Sequence, residues 1–170
     1  MSHIRVEGME EYLSLLDLNY KQLERICGRS IYPGAGLIYK ECRKRLENIR
    51  TDDHLFKFAE QYGRKRRGIT SRQKRGLIES LGIAPLKHKN GGIIDVKLGF
   101  DGYNDIVSDR FPNGQPNAMI ARSLNKGTSF MEAQPFMDQT IDAARHPVED
   151  RIEQQFYKEL ENLWGRYFSR

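Results

Sequence analysis

A chain of 170 residues is long enough to bury a core without disulfide or metal staples. With 38% apolar residues, 30% charged residues and a net charge of +5, it is too hydrophobic for a disordered chain and offers no membrane-like composition. No apolar run approaches the roughly 18–20 residues of a membrane helix, and Met1-Ser2-His3-Ile4-Arg5-Val6-Glu7 lacks the basic start and apolar stretch of a signal peptide, so a soluble, cytoplasmically made protein is expected.

Met9, Leu13, Leu16, Tyr20, Leu23 and Cys27 recur every three or four residues and predict an amphipathic helix ending near Gly28. Pro33-Gly34-Ala35-Gly36 then punctuates the chain, and Ile38, Cys42, Leu46 and Ile49 form the stripe of a second helix. Cys27 and Cys42 sit on those stripes and read as buried free thiols. Two cysteines without an export signal make no disulfide framework. Thr51, Asp52 and Asp53 offer caps for a short helix through Leu55, Phe56, Ala59 and Tyr62.

The charge is unevenly spread. Arg64, Lys65, Arg66, Arg67, Arg72, Lys74 and Arg75 fall in one stretch without an acidic residue, so the rest of the chain is slightly acidic. Gly63, Gly68 and Gly76 interrupt it, and a flexible basic loop over about 63–76 is expected. Three readings stand for it: sequence-independent contact with nucleic-acid phosphates, a solubilising surface, or a flap meeting an acidic partner.

Beyond it the period changes to two. Ile94, Val96, Leu98 and Phe100 alternate with Asp95, Lys97 and Gly99 as a half-buried strand. Its expected partner runs through Leu81, Ile83 and Leu86, turned back at Asn90-Gly91, with Pro85 marking an edge or a bulge. A long loop spans about 101–117. Met119, Ile120 and Leu124 mark a helix stopping at Lys126-Gly127. Pro135 suits the start of another, expected to run to His146, where Pro147 kinks it or begins a new one. Ile152, Phe156, Leu160 and Leu163 form the last stripe. The class is α+β: one domain over residues 1–170, with helices packed on a small antiparallel sheet and a long C-terminal helix.

Catalytic patterns are sparse. Ser71-Arg72-Gln73-Lys74 spells a Ser-x-x-Lys pairing, yet no Lys-Thr-Gly element accompanies it. His3, His54, His88 and His146 are scattered, without metal-ligand spacing. Glu10-Glu11, Asp52-Asp53 and Glu149-Asp150 lie near expected helix starts, where the macrodipole explains them. Gly34-Ala35-Gly36 follows no strand and is no dinucleotide fingerprint. No catalytic residue, cofactor or metal is expected.

Several stretches in order carry a resemblance. Val6-Glu7-Gly8-Met9 opens directly into a helix, and Arg75-Gly76-Leu77-Ile78-Glu79-Ser80-Leu81 precedes the hairpin. Gly99-Phe100-Asp101-Gly102-Tyr103 and Pro116-Asn117-Ala118-Met119-Ile120-Ala121-Arg122 follow. Gly127-Thr128-Ser129 then leads to Ala133-Gln134-Pro135-Phe136-Met137 and a helix. The set resembles the phage neck and tail-completion family, minor tail proteins encoded between capsid and tail-tube genes. The chain departs from that pattern at Arg75-Gly76, where members carry Thr-Gly, and in a longer loop over 104–115.

The resemblance implies a non-enzymatic ring subunit, a hexamer matching tail-tube symmetry. Its partners would be further copies of itself, a head-side connector and tail-tube or tail-terminator proteins, with double-stranded DNA passing through. The place would be a virion or phage-tail-like particle, and the host cytoplasm during assembly. Gly76, Leu77, Ser80, Gly127, Thr128, Pro135 and Phe136 would be structural motif residues. The alternative is a sequence-independent nucleic-acid-binding protein acting through residues 63–76.

Overall fold

A computed structural model describes residues 9–53, 63, 65–89 and 93–168 of the protein. The expected helix through Leu55–Tyr62 and the Asn90-Gly91 turn lie outside the described residues. The described elements are α1 (Met9–Glu47), α2 (Ser71–Ser80), β1 (Leu81–Ile83), β2 (Lys87–Lys89), β3 (Ile93–Asp95), β4 (Leu98–Phe100), α3 (Asn117–Lys126) and α4 (Phe136–Phe168). The architecture is α+β, helices around short antiparallel strands, with a long C-terminal helix.

The two helices expected before residue 50 are one. α1 runs for 39 residues straight through Pro33-Gly34-Ala35-Gly36. Those residues act as a helix contact rather than a turn. A Cβ on Gly34 would lie 2.6 Å from Ile152 Cγ1 and 3.2 Å from Val148 Cγ1, so the bare glycine lets α4 approach α1 closely. Ala35 beside it is buried. Tertiary packing thus overrides the local cost of glycine and proline.

At Pro147 no new helix begins, because α4 continues through it to Phe168. The helices run antiparallel: Arg29 pairs with Glu159 at 3.5 Å, Gly34 faces Ile152, and Arg45 Nη1 donates to Gln139 at 3.1 Å. The stripe of Ile152, Phe156, Leu160 and Leu163 is half-buried, short of the full burial expected of core residues.

The hairpin is split in two. β1 pairs with β4 as Leu81↔Phe100 and Ile83↔Leu98, whereas β2 pairs with β3 as Lys87↔Asp95 and Lys89↔Ile93. Three residues, Ala84 to Leu86, thus oppose two, Val96 and Lys97. The extra residue follows Ala84, whose N–H still donates to Lys97 O at 2.7 Å. Pro85 has no N–H to lose at this bulge. The expected continuous strand from Ile94 to Phe100 is broken at Val96-Lys97 for the same reason.

One buried cluster ties the C-terminal half of α1 to the rest. Cys42, Leu46 and Ile49 meet Ile69, Leu77, Leu81, Ile120, Ala121, Leu124, Met131 and Phe136. Phe100 meets the Phe136 ring edge-on at 6.1 Å. Cys42 is a buried free thiol, as its stripe position suggested; Cys27 is free and only half-buried. Among the described residues no helix is long and apolar enough to cross a membrane.

Candidate functional site: the basic segment and the motif residues

Residues 63–76 do not form a single loop. Gly63 turns with φ +62, and residues 65–70 then run as a strip stitched to its neighbours on two sides. Arg66 N–H donates to Phe130 O and Glu132 N–H donates to Arg66 O, each at 2.8 Å. Asp52 N–H donates to Ile69 O at 2.9 Å. Gly68 is buried, and a Cβ there would fall 2.4 Å from Arg50 O, so this glycine serves close backbone approach.

From Ser71 the chain is helical, which replaces the loop expected over 71–76. The start is a capping box: Thr70 accepts from Gln73 N–H at 3.1 Å, and the Gln73 side chain accepts from Thr70 N–H at 3.1 Å. Asp53 adds to this start by accepting from Ser71 N–H at 2.7 Å and from the Ser71 hydroxyl. The capping chemistry expected of Asp53 is thus directed at least partly at α2.

The seven cations part company. Arg64 lies outside the described residues. Lys65 and Arg75 are exposed. Arg66 lies over the Phe130 ring at 5.7 Å. Arg67 faces Glu132 at 3.7 Å, and its carbonyl accepts from Gln134 Nε2 at 2.8 Å. Arg72 pairs with Asp105 at 2.8 Å, and that hydrogen bond holds the Asp105 carboxyl below the ordinary carboxylate range. Lys74 turns inward: its ammonium donates to Glu47 O at 2.7 Å and Ile49 O at 3.0 Å, satisfying carbonyls where α1 ends. Ser71 and Lys74, the Ser-x-x-Lys pair, are therefore each engaged elsewhere.

The motif residues meet around the buried cluster. Leu77 is fully buried and Phe136 nearly so. Gly76 faces the long loop, where a Cβ would lie 3.1 Å from both Asn104 Cβ and Asn117 Oδ1. Asn104 folds that loop by accepting from Ile106 N–H at 3.0 Å and Gln115 N–H at 3.1 Å. Asn117 donates to Asp101 O at 3.0 Å. Arg72, Arg75, Glu79, Asp101 and Asp105 rim a cleft of about 490 Å³ outside these asparagines, with the two charge signs mixed. Ser80 closes α2, its hydroxyl donating to Leu77 O at 3.3 Å.

Gly127 ends α3 with φ +73, and a Cβ there would meet Ala133 N at 3.0 Å. Thr128 N–H donates to Met131 O at 2.9 Å, closing the turn. α4 begins at Phe136, directly after Pro135, whose carbonyl accepts from Gln139 N–H at 3.0 Å. Sequence reasoning missed the group that serves this start. Buried Asn125, on α3, accepts from Met137 N–H at 2.8 Å through Oδ1 and donates to Asp138 at 3.1 Å. Lys126 reaches the same carboxylate at 2.8 Å, and these two hydrogen bonds, that from Lys126 foremost, lower the Asp138 pKa. An asparagine one residue before Lys126-Gly127 looks like an ordinary helix end, so nothing local flags it.

Among the described residues no group of His, Cys, Asp or Glu side chains is placed to hold a metal ion. Comparison with protein-family models, with curated protein sequences and with solved structures gives no match.

Proposed function

We propose that this chain is a non-enzymatic structural subunit of a phage or phage-tail-like particle, joining or completing the tail at the head–tail neck as a member of a ring. The supporting observation is the convergence of stretches far apart in sequence. Residues 75–81, 99–103, 116–122 and 127–137, which carry the resemblance, pack around one cluster containing Leu77, Leu81, Ile120, Ala121, Leu124, Met131 and Phe136. Gly76, Gly102, Gly127 and Asn117 within them serve turns and close contacts. Such residues keep a shape, and a shape is what a joint in a particle requires.

The ring is taken to be a hexamer in register with the tail tube, with a head-side connector above and tail-tube or tail-terminator proteins below. The exposed cations, Lys65 and Arg75 among them, would face passing DNA or an acidic neighbour. Cryo-electron microscopy of purified particles tests this directly. The expected result is density for the chain in a ring between head and tail. Its absence from purified particles would overturn the proposal. Duplex DNA binding by the isolated protein, without any place in a particle, would favour the nucleic-acid-binding alternative.

A further inference from the structure

The carboxylates of α4 lack the local explanation that their sequence position suggested. Because the helix starts at Phe136 and passes through Pro147, Glu149 and Asp150 lie beyond its first turn, outside the reach of the N-terminal dipole. They belong to a longer pattern. Asp142, His146, Glu149, Glu153, Tyr157 and Glu161 follow one another at steps of three or four residues and share one face, and all are exposed. Asp150 adjoins that face and is also exposed. Arg145, Arg151 and Lys158 fall to its sides.

Like charges four residues apart, as at Glu149 and Glu153, weaken a helix slightly. The inner face of α4 is already used against α1. Among the described residues that outer face carries one ion pair, a loose 3.6 Å from His146 Nδ1 to Glu149 Oε2 that needs a protonated imidazole, so the fold draws little from the face's charge. Tyr157, 57% exposed, sits in the middle of it as an aromatic anchor.

The same chain carries a complementary surface. Lys44, Arg50, Lys65 and Arg67 are exposed around the seam where the strip 65–70 meets the end of α1 and the segment 130–134. The Arg50 carbonyl lies against Gly68, and among the described residues Arg67 pairs with Glu132 at a loose 3.7 Å. Phe130, 58% exposed, supplies the aromatic group there.

We infer that the outer face of α4 docks on the Lys44–Arg50–Lys65–Arg67 face of a second copy of this chain. The inference rests on the ring proposal and names its subunit contact. Two different surfaces of one chain that fit each other make a heterologous contact, which closes into a ring or runs on as a filament. Opposite charge would steer the encounter and set the register, with Tyr157 and Phe130 as apolar anchors.

Charge reversal with exchange tests the contact. One full-length variant carries E149K, D150K and E153K; the other carries R50E, K65E and R67E. Circular dichroism checks that each folds, as exposed sites should allow. Sedimentation velocity over a range of protein concentration then reads assembly. The expected result is that each variant alone needs at least about tenfold more protein than the unaltered chain to assemble, and that an equimolar mixture recovers most of that loss. Assembly of both variants at unaltered concentrations would overturn this contact while leaving the ring intact. An unaltered chain that stays monomeric throughout, and is missing from particles, would overturn the ring proposal itself. Capture of duplex DNA by the basic face, with the α4 variant assembling normally, would assign that face to DNA and also overturn the contact.

Discussion

Two glycines inside helices should respond to the same substitution with opposite sign. Gly36 has open space where a Cβ would be, so Gly36→Ala should stabilise the protein by about 0.5–1 kcal/mol through helix propensity alone. Gly76 faces Asn104 and Asn117 at 3.1 Å, and Asn104 cannot retreat easily. It is held by Ile106 and Gln115, and Gly114 packs behind it, where a Cβ would fall 1.9 Å from Asn104 O. Gly76→Ala should therefore destabilise by about 1–2 kcal/mol despite the gain in propensity. Urea denaturation of the two variants checks both signs. Lys74 gives a third case: Lys74→Met keeps the stem and removes the cap on α1, and should cost about 1 kcal/mol. Neutralising exposed Lys65 and Arg67 together should change stability by less than about 0.5 kcal/mol.

Cys42 adds a pH dependence. Burial pushes its thiol up to about 11, with a hydrogen bond involving Thr140 acting in the opposite direction. The folded state therefore keeps the proton over a range where the unfolded chain loses it. That contribution to stability is complete below the unfolded thiol pKa near 9 and is lost as pH rises through about 11. Thermal melts from pH 8 to 11 should fall more steeply for the unaltered protein than for Cys42→Ala. A thiol reagent at pH 8 should modify half-buried Cys27 well before Cys42; equal rates would contradict the burial.

At the scale of elements, α1 and α4 each serve two regions. Their ends near residues 42–49 and 136–140 sit in the main cluster, while residues 21–34 and 148–163 pack chiefly on each other. Two phenylalanines on α4 should report the difference. Phe136, 3% exposed and stacked edge-on against Phe100, should cost about 3–5 kcal/mol on truncation to alanine. Phe156 is only half-buried, so Phe156→Ala should cost about 1–2 kcal/mol, less than its place on a regular stripe would suggest. Equal losses in denaturant titrations would mean that the two ends of α4 are buried alike.

For the whole molecule the decisive quantity is where the charge lies. A net +5 describes neither the acidic outer face of α4 nor the basic seam beside the end of α1. If those faces meet in an assembly, raising ionic strength from about 0.05 to 0.5 M should weaken self-association markedly, since the Debye length shortens severalfold. Sedimentation in the two buffers reads this. Indifference to salt would indicate an apolar contact instead.

Sequence alone determined what depends on neighbours along the chain. The strand character on either side of Val96-Lys97, the bulge at Pro85, the stop at Gly127 and the start after Pro135 all rest on local backbone chemistry, and the structure has them. Burial of Leu46 and Leu124 follows equally from apolar spacing. Where an element's fate hangs on another element, the same local rules mislead. Pro33-Gly34 and Pro147 look like breaks, yet the close packing of Gly34 on Ile152 and Val148 keeps both helices continuous. Gly68 and Gly76 look like sources of flexibility, but they are places where backbone and side chains from residues 50, 104 and 117 come close. The basic run looks like one surface; hydrogen bonds to the end of α1, to Asp105 and to segment 130–134 divide it. Only the tertiary structure decides such cases, because a glycine or a lysine carries no local sign of what will lie opposite it.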